Sequence, residues 1–412
     1  MTPRFSDSPD ARSKTITTAE LDTYGILNRH SQNHPTFQVG VSEDKGTRRT
    51  MEDAYSFVVD FDAVRGQGFF AIFDGHAGKH AAEWCGINFH EYLLSCLHST
   101  PDSPIPDILN QTFHKVDETL SRISEESEGK MHSGCTAVTA FLRIEDADGR
   151  QSFVHPASPT ADSPISATES EEASVDSLPG NSGDSRDAVG STDEATNELK
   201  KDKKSSSKSR IRKALRSIGG GSISGKVASS STTSTPRSLS PSSTRKATGV
   251  TITVPPVDAR RVLYSANAGD ARGVLCRAGK AVRLTYDHKG SDKQEAKRIT
   301  DAGGFVMSGR VNGVLAVTRS LGDSSMKEFV VGAPYTTETE LCDEDEFLIL
   351  ACDGLWDVVN DQNAVELIRD IDEAQAASQK LLKHALANHT TDNVTVVVIR
   401  FKHNGATAVQ SA

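Results

Sequence analysis

The chain has 412 residues, is 36% hydrophobic and only 6% aromatic, and carries a formal net charge of −10. That acidity argues against non-specific binding to nucleic acid or anionic membrane by the whole protein, and no run approaches the roughly 18 apolar residues of a membrane span. The low aromatic content implies that part of the length does not pack.

The first ten residues lack the apolar core of a signal peptide. Six cysteines, at 85, 96, 135, 276, 342 and 352, have neither disulfide-framework nor zinc-site spacing, so a reducing setting, cytoplasmic or nuclear, is expected. Residues 1–35 are polar without a sustained period and read as a mobile arm. Strand-like runs follow at 37–41, 55–59 and 68–73, rich in aromatic and β-branched residues. Residues 78–98 place Ala81, Ala82, Cys85, Phe89, Leu93 and Leu97 at roughly helical spacing. Residues 105–125 do so more clearly through Ile105, Ile108, Leu109, Phe113, Val116, Leu120 and Ile123, with Pro104 and Pro106 at the start. Each has a polar opposite face, which predicts helices lying on a sheet. Residues 134–145 return to strand character.

Composition then changes. From about 150 to 248 the chain is Ser, Thr, Pro, Gly and charge, acidic at first and strongly basic over 200–216. Such a segment cannot bury enough apolar surface to offset its ordering entropy, so a disordered insertion is expected. It reads first as a spacer and second as a docking or regulatory segment. Its Ser-Pro and Thr-Pro pairs begin at Ser158, Ser163, Thr235 and Ser240. Beyond it come a strand at 260–267, a hairpin of 274–276 with 281–284, a short helix at 291–302 ended by Gly303-Gly304, a central strand at 346–352, one or two helices within 361–389, and a last strand at 394–400. Residues 403–412 form a tail. Strands in hairpin-like groups with helices in two clusters predict an α+β fold of packed antiparallel sheets covered by helices.

Four acids end strands or adjoin turns: Asp74, Asp270, Asp353 and Asp392. Asp74 and Asp353 share the order apolar strand, Asp, Gly. A lone Asp-Gly is an ordinary turn. The repetition, with Glu52-Asp53 following Arg48, points elsewhere. Carboxylates gathered at strand ends repel unless a cation relieves them, and an all-oxygen donor set suits magnesium or manganese.

The motifs that carry this pattern, in order, are Gly46-Thr47-Arg48-Arg49-Thr50-Met51-Glu52-Asp53-Ala54, Phe73-Asp74-Gly75-His76-Ala77-Gly78, Ser133-Gly134-Cys135-Thr136-Ala137, Ala268-Gly269-Asp270-Ala271-Arg272, Asp287-His288-Lys289, Ala302-Gly303-Gly304, Leu315-Ala316-Val317-Thr318-Arg319-Ser320-Leu321-Gly322-Asp323, Ala351-Cys352-Asp353-Gly354-Leu355-Trp356-Asp357 and Thr391-Asp392-Asn393-Val394-Thr395. In them the chain resembles the type 2C family of metal-dependent protein serine/threonine phosphatases. The resemblance covers about 37–150 and 250–402. It implies a central β-sandwich with helices on both outer faces, one domain over 36–402 interrupted by the insertion, and a two-metal site at one end. Cys135 and Ala271 stand where serine is common in the family; neither removes a ligand.

By this resemblance Asp74 bridges two Mg2+ or Mn2+ ions and the Gly75 carbonyl adds an oxygen. Asp353 and Asp392 complete the site, and Glu52 supports the attacking water. Asp53 is an accessory acid, and Asp270 and Asp357 with Asp353 match a weaker third metal position. Arg48 holds the substrate phosphate; Arg49 competes on chemistry alone, but Arg48 has the family spacing from Glu52. His76 protonates the leaving serine or threonine oxygen, and water attacks directly, without a phosphoenzyme. Residues 315–317 with Gly303 and Gly304 are expected to shape a surface flap, Asp323 to be a structural hydrogen-bonding acid, and Trp84 and Trp356 to pack. Expected partners are phosphoprotein substrates, plus docking proteins for 150–248, with the enzyme a monomer in signalling. The rival reading is a catalytically inactive relative acting as a scaffold. No cysteine has an arginine six positions later, no Gly-Asn-His stretch occurs, and no glycine-rich phosphate loop lies near a suitable lysine, which speaks against other phosphatase classes and a kinase.

Overall fold

The run 68–73 is apolar without a break because both of its faces are buried. In the computed structural model the strand Gly68–His76 sends Phe70 and Ile72 into one core and Phe69, Ala71 and Phe73 into another, the period of two expected of a strand. The strand Asp345–Ala351 repeats this, with Leu348 and Leu350 in the first core and Phe347, Ile349 and Ala351 in a third. The structure describes residues 36–127, 132–154 and 252–402. The expected N-terminal arm, nearly all of the insertion and the C-terminal tail lie outside these residues.

The strands are β1 (Phe37–Asp44), β2 (Ala54–Val59), β3 (Gly68–His76), β4 (Gly134–Glu145), β5 (Arg260–Ala268), β6 (Arg272–Arg277), β7 (Lys280–Arg283), β8 (Val306–Met307), β9 (Arg310–Val311), β10 (Leu321–Gly322), β11 (Tyr335–Glu340), β12 (Asp345–Ala351) and β13 (Val394–Phe401). The helices are α1 (His80–Ser99), α2 (Ile105–Glu126), α3 (Lys293–Asp301), the single turn α4 (Asp353–Trp356), α5 (Asp361–Ile368) and α6 (Ala374–Ala387). One sheet has the order β1-β13-β12-β6-β7, the other β11-β5-β4-β3-β2 with β10 added to β4, and every pairing between these strands is antiparallel.

The inner faces of the two sheets bury Phe37, Phe57, Phe70, Ile72, Leu348 and Leu350 between them. Helices α1 and α2 cover the outer face of the second sheet, where Phe89 stacks on Phe69 at 5.9 Å, tilts over Phe73 at 5.5 Å and meets the edge of Phe113 at 5.1 Å. Such pairs add about 0.5–1.5 kcal/mol each to area burial. Helices α4 to α6 cover the first sheet through Leu355, Val365, Ile368 and Leu381. This is the α+β sandwich expected.

Three elements differ from expectation. β11 was invisible because Tyr-Thr-Thr-Glu-Thr-Glu has no apolar period; it is a half-exposed edge strand, and polar residues there discourage pairing with other chains. The hairpin β8–β9 has two-residue strands, too short for a periodic signal. Asp353 does not end a strand in a simple turn but opens the helical turn α4.

The insertion also has a defined place. β4 and β5 are antiparallel neighbours paired as far as Glu145 with Arg260, so the long connection leaves and returns at partners in one ladder. Its first residues belong to the fold: Gln151 Nε2 donates to Gln67 Oε1 at 2.7 Å and to the Ile144 carbonyl at 2.8 Å.

Candidate metal centre and active site

Three separate chain segments deliver carboxylates to one point. Asp74 stands near the end of β3, opposite Thr136 of β4. Asp270 lies in the tight turn from β5 to β6, made possible by Gly269 at φ +104°. Asp353 follows β12. One oxygen from each of the three lies within 4.8 Å of the others.

Burial makes this grouping costly for bare anions. Burial, then the charges of Asp353 and Asp53, push the Asp74 carboxyl well above the usual carboxylate range. Burial followed by the charges of Asp270, Asp357 and Asp392 pushes Asp353 up to about 8. Asp53 is raised to about 6 by burial, against hydrogen bonds that favour its anion, among them Thr395 Oγ1 at 2.7 Å. Asp270 is 5% exposed, and its Oδ1 has no hydrogen-bond partner among the described residues. Desolvated like charges with an orphaned oxygen are relieved by a proton or by a bound cation. The donor set is oxygen only, so these residues fit magnesium or manganese.

The remaining candidates surround this trio. Asp392 is outside the 4.8 Å group; its Oδ2 accepts from Arg48 Nη2 at 2.5 Å and its Oδ1 from the Asn393 amide at 2.7 Å. The Arg48 side chain is 53% exposed, on the rim. Glu52 accepts from Thr50 Oγ1 at 3.2 Å and from the Gly78 amide at 3.4 Å. Arg49 is exposed.

Glycine at 75 and 354 answers a need for room rather than for a turn. A Cβ on Gly75 would lie 2.2 Å from the Glu52 carbonyl oxygen, and one on Gly354 would lie 1.9 Å from that of Asn393. Neither residue has a positive φ. The glycines let the 46–54 loop and the start of β13 press against the two strand ends.

His76 Nε2 lies 2.7 Å from Asp323 Oδ2, which also accepts from Ser320 Oγ. Asp323 adopts a left-handed backbone, φ 49°, and packs where any side chain at position 134 would stand. The expected flap is a lobe of α3 and the β8–β9 hairpin, fixed at its base by Glu295. Burial opposes the Glu295 anion, but hydrogen bonds from Arg319 (2.6 Å) and Arg298 (2.9 Å) prevail and hold its carboxyl at about 2. Trp356 packs in the core below Arg272, 5.1 Å from the guanidinium.

Two residues escaped the sequence reading. Asn393 accepts the Glu52 amide at 2.8 Å and donates to the carbonyls of Lys45 (2.9 Å) and Thr50 (3.0 Å), tying the loop of Arg48 and Glu52 to β13. Only its place beside Asp392 hinted at this. Lys289 places its ammonium 3.3 Å from Asp270 Oδ2 and 3.3 Å from Asp357 Oδ1. Nothing local in Asp287-His288-Lys289 announces that contact.

The family model described as protein phosphatase 2C matches residues 37–147 and 191–394. The chain is 37% identical over 366 residues to protein phosphatase 2C homolog 1 of Saccharomyces cerevisiae, covering 88% of this chain and 93% of that one. It is 32% identical over 404 residues to protein phosphatase 2C homolog 1 of Schizosaccharomyces pombe, covering 96% and 84%. Of solved structures, the serine-threonine phosphatase 2C from Toxoplasma gondii aligns with a TM-score of 0.56 at 18% identity, over 90% of this chain and 96% of that one. A Caenorhabditis elegans sex-determining protein aligns with the same TM-score at 20% identity, over 89% of this chain but 64% of its own length. The structural matches show a common fold; the fungal relatives, alike in sequence over nearly their whole length, show more. The chain belongs to the protein phosphatase 2C family, the metal-dependent protein phosphatases.

Proposed function

We propose that this enzyme hydrolyses phosphoserine and phosphothreonine in proteins at the rim where Asp74, Asp353 and Asp392 meet the loop of Arg48 and Glu52. The observation that carries the reading is the approach of three carboxylates, one buried and two part-buried, to within 4.8 Å, on segments far apart in the chain. Asp74, the Gly75 carbonyl, Asp353, Asp392 and Glu52 would hold two magnesium or manganese ions, with Asp53, Asp270 and Asp357 in supporting positions. Bound there, the ions supply charge neutralisation at the phosphate and activation of water for attack.

The chain's own groups do the rest. Arg48 offers a planar fork for two phosphate oxygens, and its exposure leaves it within reach of a substrate on a protein surface. In this structure the fork rests on Asp392, so a phosphate and that carboxylate compete for it. His76, held through Nε2 by Asp323, keeps Nδ1 to donate a proton to the departing alkoxide. Glu52 is fixed by the Asn393 bond to its amide and orients the water.

The test is phosphate release from a phosphothreonine peptide with magnesium or manganese, and with EDTA. Release that requires the metal is expected. No release at any metal concentration would favour the scaffold reading.

A further inference from the structure

Asp270 is a buried acid with two unlike oxygens. Oδ1 has no hydrogen-bond partner among the described residues, while Oδ2 faces the Lys289 ammonium at 3.3 Å. The same ammonium lies 3.3 Å from Oδ1 of Asp357, an acid whose side chain is 60% exposed. Lys289 therefore stands between an inner and an outer carboxylate, on the solvent side of the trio formed by Asp74, Asp270 and Asp353.

Its position is built rather than incidental. The preceding residue, His288, donates its amide to the Gly269 carbonyl at 3.0 Å, one residue before Asp270. Arg272 donates twice to the Asp287 carboxylate, at 3.1 and 2.5 Å, and once to Asp361 at 2.6 Å. Lys289 itself makes an antiparallel bridge to Val317 at the exit of the flap lobe. The two residues before the lysine are thus tied to the β5–β6 turn that carries Asp270 and to the first residue of β6, and the four-carbon stem delivers a compact charge between the two acids.

We propose that the Lys289 ammonium is a tethered cation held in the accessory position between Asp270 and Asp357, so that a divalent cation binds there only by displacing it. The inference rests on the metal-centre reading above and adds to it what sets the affinity of the outer position. A lysine supplies one positive charge and hydrogen-bond donors to both carboxylates without crossing into solution. A divalent ion competing for them must shed water, separate the lysine from both acids and tolerate its charge nearby. The outer position is consequently weak by construction.

The experiment is calorimetric titration of the full-length, metal-stripped protein with manganese chloride, comparing wild type, Lys289→Met, Lys289→Arg and the double variant Lys289→Met/Asp357→Asn. Loss of the ammonium in Lys289→Met is expected to tighten the weakest manganese equivalent by about tenfold or more. Lys289→Arg, which keeps the cation, should retain the weak equivalent, and the double variant should lose the gain. A Lys289→Met isotherm superimposable on wild type, or a gain that survives Asp357→Asn, overturns the proposal. If circular dichroism shows Lys289→Met unfolded, Lys289→Gln is read by the same criteria. A wild-type protein that binds no manganese at all overturns the metal-centre reading as well, a result distinct from an unchanged Lys289→Met isotherm.

Discussion

His76 Nε2 and Asp323 Oδ2 are 2.7 Å apart although 247 residues separate them in the chain. The contact fixes the ring of the proposed proton donor through Nε2. His76→Ala should slow hydrolysis of a phosphopeptide by roughly 100-fold or more, the scale of general acid catalysis. It should slow hydrolysis of nitrophenyl phosphate, whose leaving group needs little protonation, by far less. Asp323→Asn should show the same substrate-dependent pattern with a smaller loss. Equal losses on both substrates for His76→Ala would remove it as the acid.

Asn393 is the tie between the loop of Arg48 and Glu52 and β13. Asn393→Ala leaves the carbonyls of Lys45 and Thr50 and the amide of Glu52 without their side-chain partner. The expected cost is about 1–3 kcal/mol in urea unfolding. Turnover should fall more than stability alone explains, because Arg48 and Glu52 both ride on that loop. Unchanged stability with unchanged turnover would show that the loop is held by other contacts.

The acidic centre predicts how metal-free protein responds to pH. Burial and neighbouring charge raise Asp353 to about 8 from an ordinary value near 3.8. A carboxyl raised on folding contributes stability that is full below the unfolded value and is lost as pH rises through the folded one. In EDTA the melting temperature should therefore fall from about pH 4, near the unfolded value, to about pH 8, the folded one. Added manganese should raise it most at the upper end. Asp353→Asn should flatten the metal-free profile over this window. An equally steep profile in Asp353→Asn would show that other groups govern it.

The connection from β4 to β5 begins and ends at residues paired in one ladder, Glu145 with Arg260. A shorter loop can close the same hairpin, and closure entropy changes slowly with loop length. Deletion of 155–245 should leave the rate on a small phosphopeptide within about twofold and the melting temperature nearly unchanged. Loss of folding on deletion would make the segment part of the core.

Much of this was legible because the strands are short apolar runs bounded by Gly and Asp, as at Phe69–Asp74 and at Leu348–Asp353, where periodicity and turn chemistry agree. Helices α1 and α2 were visible for the same reason. The edge strand β11 was not, since an edge strand needs no apolar face and its Thr and Glu carry no period. Asp270, expected at the accessory position, lies within the tight trio, while Asp392 is engaged by Arg48. Which strand ends face each other is fixed by sheet pairing, and local sequence does not encode it. Lys289 and Asn393 act through partners 19 to 348 residues away in the chain, so their roles emerge only on folding.

On the proposed reading, Asp74 is the carboxylate around which the metal centre forms. Its most direct test is to measure manganese binding by calorimetry and phosphate release from a phosphopeptide on the same preparation of Asp74→Asn. Substitution by the neutral isostere is predicted to abolish tight manganese binding and turnover together while the protein stays folded by circular dichroism. An Asp74→Asn enzyme that turns over normally would contradict the account.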